Sequence, residues 1–294
     1  MPDPVAGVPA LRAALDTTGY LADDALATAL LLAVRMRLPI LLEGEPGVGK
    51  TEAARALATV LDTPLIRLQC YEGLSSTEAL YEWNYPRQLL AIRLAESRGE
   101  TLRDADLFAP DYLLPRPLLA AISHQGPRPA VLLIDEVDRA DDEFEAFLLE
   151  LLADAAITIP ELGTRRAEIP PIAVLTSNRT RDLHDALKRR CLYHWIAYPD
   201  TATVAAIIRR RVPEAAAWLA PRVAVAVHRL RDLDLIKPPG IAEAINWANA
   251  MHVLGVSTVD IEAVERTLGA VLKYAEDADT VRRAGLSALV DADA

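Results

Sequence analysis

One short block carries the residue types that a chain of phosphates requires. Gly44-Glu-Pro46-Gly47-Val48-Gly49-Lys50-Thr51 fits the pattern G-x-x-x-x-G-K-[ST], with Glu52 next in line. Its glycines let backbone N–H groups curl around phosphate oxygens, and the helix that begins there adds a favourable dipole. Lys50 is the residue that reaches the β- and γ-phosphates, and the Thr51 hydroxyl is a Mg²⁺ ligand. Further along, Val131-Leu-Leu-Ile ends at Asp135-Glu136. A carboxylate at the end of a buried strand can hold the Mg²⁺ shell, and the second one can take a proton from an attacking water. Thr176-Ser-Asn178 closes another apolar run, where an Asn either orients that water or touches the γ-phosphate. Lys188-Arg189-Arg190 then supplies guanidinium groups able to stabilise transition-state charge in a neighbouring copy's site.

Such residues need elements to position them. Leu38-Pro-Ile-Leu-Leu reads as a strand leading into the glycine block, and Lys50–Leu61 as the helix after it. Leu65–Cys70 reads as a second strand, Ala130–Ile134 as a third, Ile172–Ser177 as a fourth and Tyr193–Ala197 as a fifth. A helix is expected over Asp23–Met36, after a Pro- and Ala-rich opening. Others are expected over Arg87–Arg98, Arg116–Ser123 and Asp142–Asp154, the last with Phe144, Phe147, Leu148, Leu151 and Leu152 on one face. Residues 156–169 read as a hairpin turning near Gly163. Continuous apolar strands alternating with helices imply an α/β fold whose parallel sheet is covered on both faces. From Pro199 the pattern is helical only, so a domain boundary falls near Pro199–Asp200. The acidic tail Asp291-Ala-Asp-Ala is expected to fray.

Composition excludes several classes. With 294 residues, 52% of them hydrophobic and 25% charged, the chain can bury a sizeable core. Its 42 acidic against 31 basic side chains, a net charge of −11, speak against a sequence-independent grip on nucleic acid. Acidity is concentrated before Pro199, and neither portion is basic. Two cysteines, Cys70 and Cys191, make no disulfide framework and read as buried hydrophobes. His124, His184, His194, His228 and His252 share no metal-ligand spacing. No secretory signal and no transmembrane segment are visible, which makes a cytoplasmic protein the expectation. Only four of the basic residues are lysines, Lys50, Lys188, Lys237 and Lys273, so each of them is a candidate for a specific role.

The order of glycine block, Asp-Glu pair, strand-end Asn and helix-end Arg, followed by a helical segment, resembles the AAA+ ATPases. Longer blocks are similar to the MoxR branch: Arg67-Leu-Gln-Cys-Tyr-Glu-Gly, Tyr81-Glu-Trp-Asn-Tyr, Ile159-Pro-Glu-Leu-Gly-Thr and Ala186-Leu-Lys-Arg-Arg-Cys-Leu-Tyr-His-Trp. Within that branch they resemble the CoxD-like proteins, which are associated with maturing the metal centre of carbon monoxide dehydrogenases and related molybdenum hydroxylases. The resemblance runs from about Gly19 to Tyr274.

It implies a P-loop AAA+ αβα sandwich over residues 1–198, with 1–18 as an N-terminal extension, and a small all-α lid domain over 199–294. It also implies ATP and Mg²⁺ as cofactors, Walker A at Gly44–Thr51 and Walker B at Val131–Glu136. Sensor 1 falls on Asn178, and the trans-acting finger on Arg190 with Arg189 as its competitor. Tyr20 and Leu21 would cover the adenine, although packing alone explains them equally well. Tyr71, Leu74 and the hairpin at 157–169 lie where substrate-facing loops would be. The implied assembly is a hexameric ring acting on a client metalloenzyme with a von Willebrand factor A-domain partner. One departure stands out: where a sensor 2 arginine is usual, this chain reads Lys237-Pro-Pro-Gly-Ile-Ala-Glu, and a lysine cannot make a bidentate phosphate contact. A nucleotide-gated adaptor with little turnover and a DNA remodeller are the competing classes.

Overall fold

Runs of consecutive apolar residues decide the centre of the fold. Every residue of Val131–Asp135, Ile172–Ser177 and Ile40–Gly44 is buried, as expected for interior strands of a sheet with helices on both faces. The computed structural model describes residues 3–215 and 217–290, so the acidic tail at 291–294 lies outside the described residues. Among the described residues the strands are β1 Ile40–Gly44, β2 Leu65–Gln69, β3 Tyr81–Trp83, β4 Leu113–Pro115, β5 Val131–Asp135, β6 Ala156–Ile159, β7 Gly163–Arg166, β8 Ile172–Ser177 and β9 Leu192–Ile196. Five of them form one sheet in the order β2-β5-β8-β1-β9. The pairs β2·β5, β5·β8 and β1·β8 run parallel, so their carboxyl ends, Gln69, Asp135, Ser177 and Gly44, come out at one edge. Ligand sites of open α/β sheets form at that edge.

Two compact units divide the chain. The first comprises the chain up to Ala14, Ala22–Glu43 and Thr51–Trp195; the second comprises Leu15–Leu21, Gly44–Lys50 and the chain from Ile196 onward. In the first, one sheet face presents Leu41, Leu68, Leu132, Ile134 and Leu175 to the helices Pro117–Ile122 and Asp142–Asp154, through Leu118, Leu119, Ile122, Phe144, Leu148 and Leu151. Of the stripe expected on the second helix, Phe147 and Leu152 are only partly buried. In the second unit, the helices Thr201–Arg211, Leu219–Arg231, Ile241–Val253 and Ile261–Val271 close around Val223, Val227, Leu230, Trp247 and Leu268. Fully buried Trp247 satisfies its indole N–H by donating to Thr267 Oγ1 at 2.7 Å.

Two features depart from the sequence reading. A helix at Val8–Thr17 precedes the one at Asp24–Met36, where only a Pro- and Ala-rich opening was expected. Leu11 and Leu15, one helical turn apart, are fully buried, so tertiary packing decides a segment whose composition is ambiguous. The segment between β2 and β5 also contains the antiparallel pair β3·β4. It is anchored by buried Trp83, whose ring stands edge-on to Phe108 at 5.1 Å. Among the described residues, no helix is long and apolar enough to cross a membrane.

If the first helix is part of the core, Leu11→Ala should cost about 2–5 kcal/mol in urea unfolding, the range for emptying a buried leucine site. A loss below about 1 kcal/mol would make that helix a surface appendage.

Candidate active site

In the second unit the glycine block forms a tight loop that only glycine allows. Gly47 and Gly49 hold φ of 81° and 95°, in the left-handed region. A Cβ on Gly44 would come within 2.4 Å of the Ile196 carbonyl oxygen, and one on Gly47 within 3.0 Å of the Gly240 Cα. Lys50 is buried, and its ammonium donates to the carbonyls of Gly44 at 2.7 Å and Glu45 at 2.8 Å, so it lies folded along the inside of its own loop. Val48, within the loop, is buried. The Tyr20 ring lies 3.6 Å from where a Gly49 Cβ would stand, and Leu21 beside it is half-buried.

The same loop meets residues that sequence reasoning did not single out. The Ile241 N–H donates to the Gly47 carbonyl at 2.9 Å, and Arg231 pairs with Glu45 while donating to the Pro239 carbonyl at 2.9 Å. Its guanidinium lies 3.8 Å from the centre of the Tyr198 ring, whose hydroxyl is pushed up to about 12 by burial, against the opposing effect of Arg231. Lys237, the sensor 2 candidate, is exposed; its backbone N–H goes to Asp277 at 3.2 Å, and it makes no side-chain bond to the loop among the described residues. Arg231, the last residue of the helix Leu219–Arg231, gave no motif to find, whereas Lys237 stood out only by position.

In the first unit the groups converge on Asp135, which is 2% exposed. Thr51 Oγ1 donates to its two oxygens at 3.0 and 3.2 Å, and Thr176 Oγ1 donates to Oδ1 at 2.5 Å. Arg67, on β2, donates to Oδ2 through Nε at 2.9 Å and Nη2 at 2.6 Å. Glu136 sits in the left-handed region at φ 55°, a strained place for a residue with a side chain, and is held there by its N–H donating to Thr176 Oγ1 at 2.8 Å. Its carboxylate accepts from Gln69 Nε2 at 3.2 Å and lies 3.5 Å from Arg139. Glu52 pairs with Arg55 at 3.2 Å.

The donor set fits Mg²⁺. A hydroxyl and a carboxylate, both oxygen ligands, stand within hydrogen-bond reach of each other, and no cluster of three His, Cys, Asp or Glu side chains suited to another metal occurs among the described residues. Mg²⁺ keeps several waters and takes one or two carboxylates plus phosphate oxygens, so it needs no dedicated cage.

Asn178 follows β8, half-buried, and its N–H donates to Asp138 Oδ2 at 3.2 Å. The same oxygen takes the N–H of Thr180 at 2.8 Å and its hydroxyl at 2.7 Å. Buried Asp138 therefore shapes the loop that presents Asn178, a role hidden in the sequence because the neighbouring Asp135-Glu136 pair explains the acidic run by itself. Arg189 and Arg190 end the helix Asp185–Arg190, both exposed. Arg190 donates to the Leu149 carbonyl at 2.6 Å, whereas Arg189 makes no hydrogen bond or ion pair among the described residues. Lys188 stands 3.7 Å from Asp182. Cys191 is partly exposed rather than buried, while Cys70, next to β2, is fully buried. Burial pushes the Cys70 thiol up to about 12, and the charges of Asp135, Asp138 and Glu136 add to the rise.

A family model described as an AAA domain of the dynein-related subfamily matches residues 39–191 of the chain. Among solved structures, two variants of Thermotoga maritima RuvB align with TM-scores of 0.53 and 0.51, each at 19% identity. They cover 87% and 85% of this chain and 72% and 70% of theirs. A third RuvB structure, described as a Holliday junction branch migration motor, aligns with a TM-score of 0.48 at 18% identity, over 84% of this chain and 69% of its own. At such identities the likeness is one of fold. No curated protein matches the chain in sequence.

Thr176→Val keeps the shape of the side chain but removes one bond to Asp135 and one from Glu136 N–H. The variant should lose about 1–3 kcal/mol in urea unfolding, the cost of leaving buried polar groups unpaired; an unchanged midpoint would show that the hydroxyl does not tie the two carboxylates together. For Cys70, a folded value near 12 against 9.0 for an ordinary thiol means that the native protein holds this proton through neutral and mildly alkaline pH. Its contribution to stability is complete below pH 9 and declines as pH rises toward 12. Iodoacetamide at pH 8 should therefore leave Cys70 unmodified until denaturant is added, read by mass spectrometry, and modification in the native state would contradict its burial.

Proposed function

We infer, because the chain belongs to the AAA domain family in its dynein-related subfamily, that it is a Mg²⁺-dependent ATPase. The observation that carries this reading is the meeting of Thr51 and Asp135, 3.0 Å apart, at the carboxyl edge of a parallel sheet with Glu136 directly after. In this reading Lys50 and the loop amides bind the phosphates, and Tyr20 and Leu21 lie beside the base. Thr51 and Asp135 hold Mg²⁺, which supplies charge neutralisation for the phosphate oxygens. Glu136 takes a proton from the attacking water, and Asn178, on the loop shaped by Asp138, orients that water.

A ring of copies, six in this proposal, completes each site with a neighbour's arginine. The finger is Arg190, which donates to the Leu149 carbonyl, with Arg189, which makes no hydrogen bond or ion pair among the described residues, as its competitor. Residues 1–198 serve as the motor and 199–294 as the lid. The resemblance of several blocks to MoxR-branch, CoxD-like proteins supports a role in remodelling or maturing a client metalloenzyme in the cytoplasm, of the molybdenum hydroxylase or carbon monoxide dehydrogenase type, with a von Willebrand factor A-domain partner. RuvB is described as a branch migration motor, but a net charge of −11 opposes a DNA substrate for this chain.

Steady-state phosphate release should fall by at least roughly a hundredfold for Lys50→Ala and Glu136→Gln, and comparably for either Arg189→Ala or Arg190→Ala. Rates like the wild type in all four would sink the ATPase reading. Nucleotide-dependent rings that release no phosphate, even with client present, would instead favour an assembly adaptor, and salt-dependent DNA binding near about micromolar affinity would favour a DNA remodeller.

A further inference from the structure

One side chain at the Asp135 cluster has no part in the proposed hydrolysis. Arg67 lies on β2, paired in register with β5, and it saturates Oδ2 of Asp135 with two N–H bonds at 2.9 and 2.6 Å. A carboxylate that is 2% exposed needs a countercharge, because an unpaired buried charge is strongly unfavourable. Thr51 and Thr176 supply hydrogen bonds but no charge; among the described residues Arg67 forms an ion pair with Asp135, at 2.6 Å. We propose that Arg67 is the resident cation of the metal site: its guanidinium neutralises Asp135 when no divalent ion is there and must leave Oδ2 for one to be held. This inference rests on the reading of Thr51 and Asp135 as the Mg²⁺ ligands.

Three observations make the exchange physically workable. The Arg67 side chain is 46% exposed, so its head group can move into water while the stem stays on β2. The planar fork grips one carboxylate oxygen through two N–H groups, so a divalent ion gains Oδ2 only if the fork moves aside. Arg67 also donates to Gln69 Oε1, and Gln69 donates to Glu136 at 3.2 Å. Asp135, Arg67, Gln69 and Glu136 thus form one chain of contacts across two adjacent strands. Departure of Arg67 from Asp135 takes away one of the contacts that fix the Gln69 amide, and so loosens one of two holds on the Glu136 carboxylate, the other being Arg139 at 3.5 Å. A divalent ion arriving at Asp135 therefore changes the setting of the proposed base through β2. Competition with a fixed positive charge also weakens metal binding before nucleotide is present, since like charges at this distance repel strongly in a partly buried site.

The test is a Mn²⁺ titration of the full, nucleotide-free chain, followed by electron paramagnetic resonance, for the wild type, Arg67→Gln and Arg67→Lys. Arg67→Gln should bind Mn²⁺ at least roughly tenfold more tightly than the wild type, with Arg67→Lys between them because a point charge cannot grip Oδ2 twice. Arg67→Gln should also melt below the wild type in chelator and gain more from millimolar Mg²⁺. Should Arg67→Gln fail to fold in chelator, recovery of its fold with Mg²⁺ supports the proposal, and otherwise the Arg67→Lys titration decides it. Equal Mn²⁺ affinity and equal Mg²⁺ response in every folded variant overturns it. A parallel measurement of Mg²⁺-dependent ADP affinity in the wild type separates the two levels. Absence of any Mg²⁺ effect there overturns the ATPase reading and the proposal with it, whereas a clear Mg²⁺ effect with a flat Arg67 series overturns the proposal alone.

Discussion

A single buried negative charge organises the first unit. Asp135 ends the second strand from the sheet's β2 edge with its carboxylate out of water, a position tolerable only if every oxygen is met by donors and the charge by a cation. Three elements supply them: Thr51 from the helix after the glycine loop, Thr176 from β8 and Arg67 from β2. Parallel pairing is what makes this possible, because it delivers the ends of β2, β5 and β8 to the same edge without any long loop. The apolar interior of the strands holds the sheet together, and the polar residue at each strand's end is where the sheet meets chemistry.

The residues just past those ends are placed at the cost of backbone strain. Glu136 and Arg179 both occupy the left-handed region, at φ 55° and 56°. Such conformations persist where surrounding bonds over-determine them. Thr176 does so for Glu136 by accepting its N–H, and Asp138 does so for the turn around Arg179 by accepting the N–H groups of Asn178 and Thr180. The same two turns carry the proposed base and the proposed water-orienting residue. A relaxed turn at either place would point the side chain elsewhere, so the strain is part of how the site is built.

What the sequence made legible follows from which signals are local. The glycine block, the apolar strands and the Asp135-Glu136 step are contiguous patterns, and the sheet appears where those patterns predict it, with element ends shifted by a residue or two. The helix at Val8–Thr17 was illegible because its two buried leucines are surrounded by Ala and Pro, which carry no period. Trp83 and the β3·β4 pair were illegible because three-residue strands leave no alternation to read. The supports of the candidate site, Arg67, Thr176, Asp138 and Arg231, act through partners far away in sequence. In β2 there was a faint signal: Arg67 and Gln69 interrupt an apolar run two residues apart, on the same face of a strand. A charged residue there needs an acceptor nearby, and the end of the adjacent strand is where one stands.

Arginine and lysine take different roles in this chain. Arg67 bridges Asp135 and Gln69, Arg181 bridges the Ala140 carbonyl and buried Glu145, and Arg231 bridges the Pro239 carbonyl, Glu45 and the face of Tyr198. Each uses the planar fork of donors to tie two or more groups at once, which one ammonium cannot do with the same directionality. Lys50 is the lysine that is buried, and its compact head sits among carbonyls at the one place where a mobile phosphate chain, not a fixed carboxylate, is the proposed partner. Rarity of lysine across the chain therefore separates two tasks: guanidinium groups brace carboxylates and carbonyls of the fold, Arg67 until a divalent ion takes its place, and the buried ammonium of Lys50 is left to exchange its carbonyl contacts for a ligand.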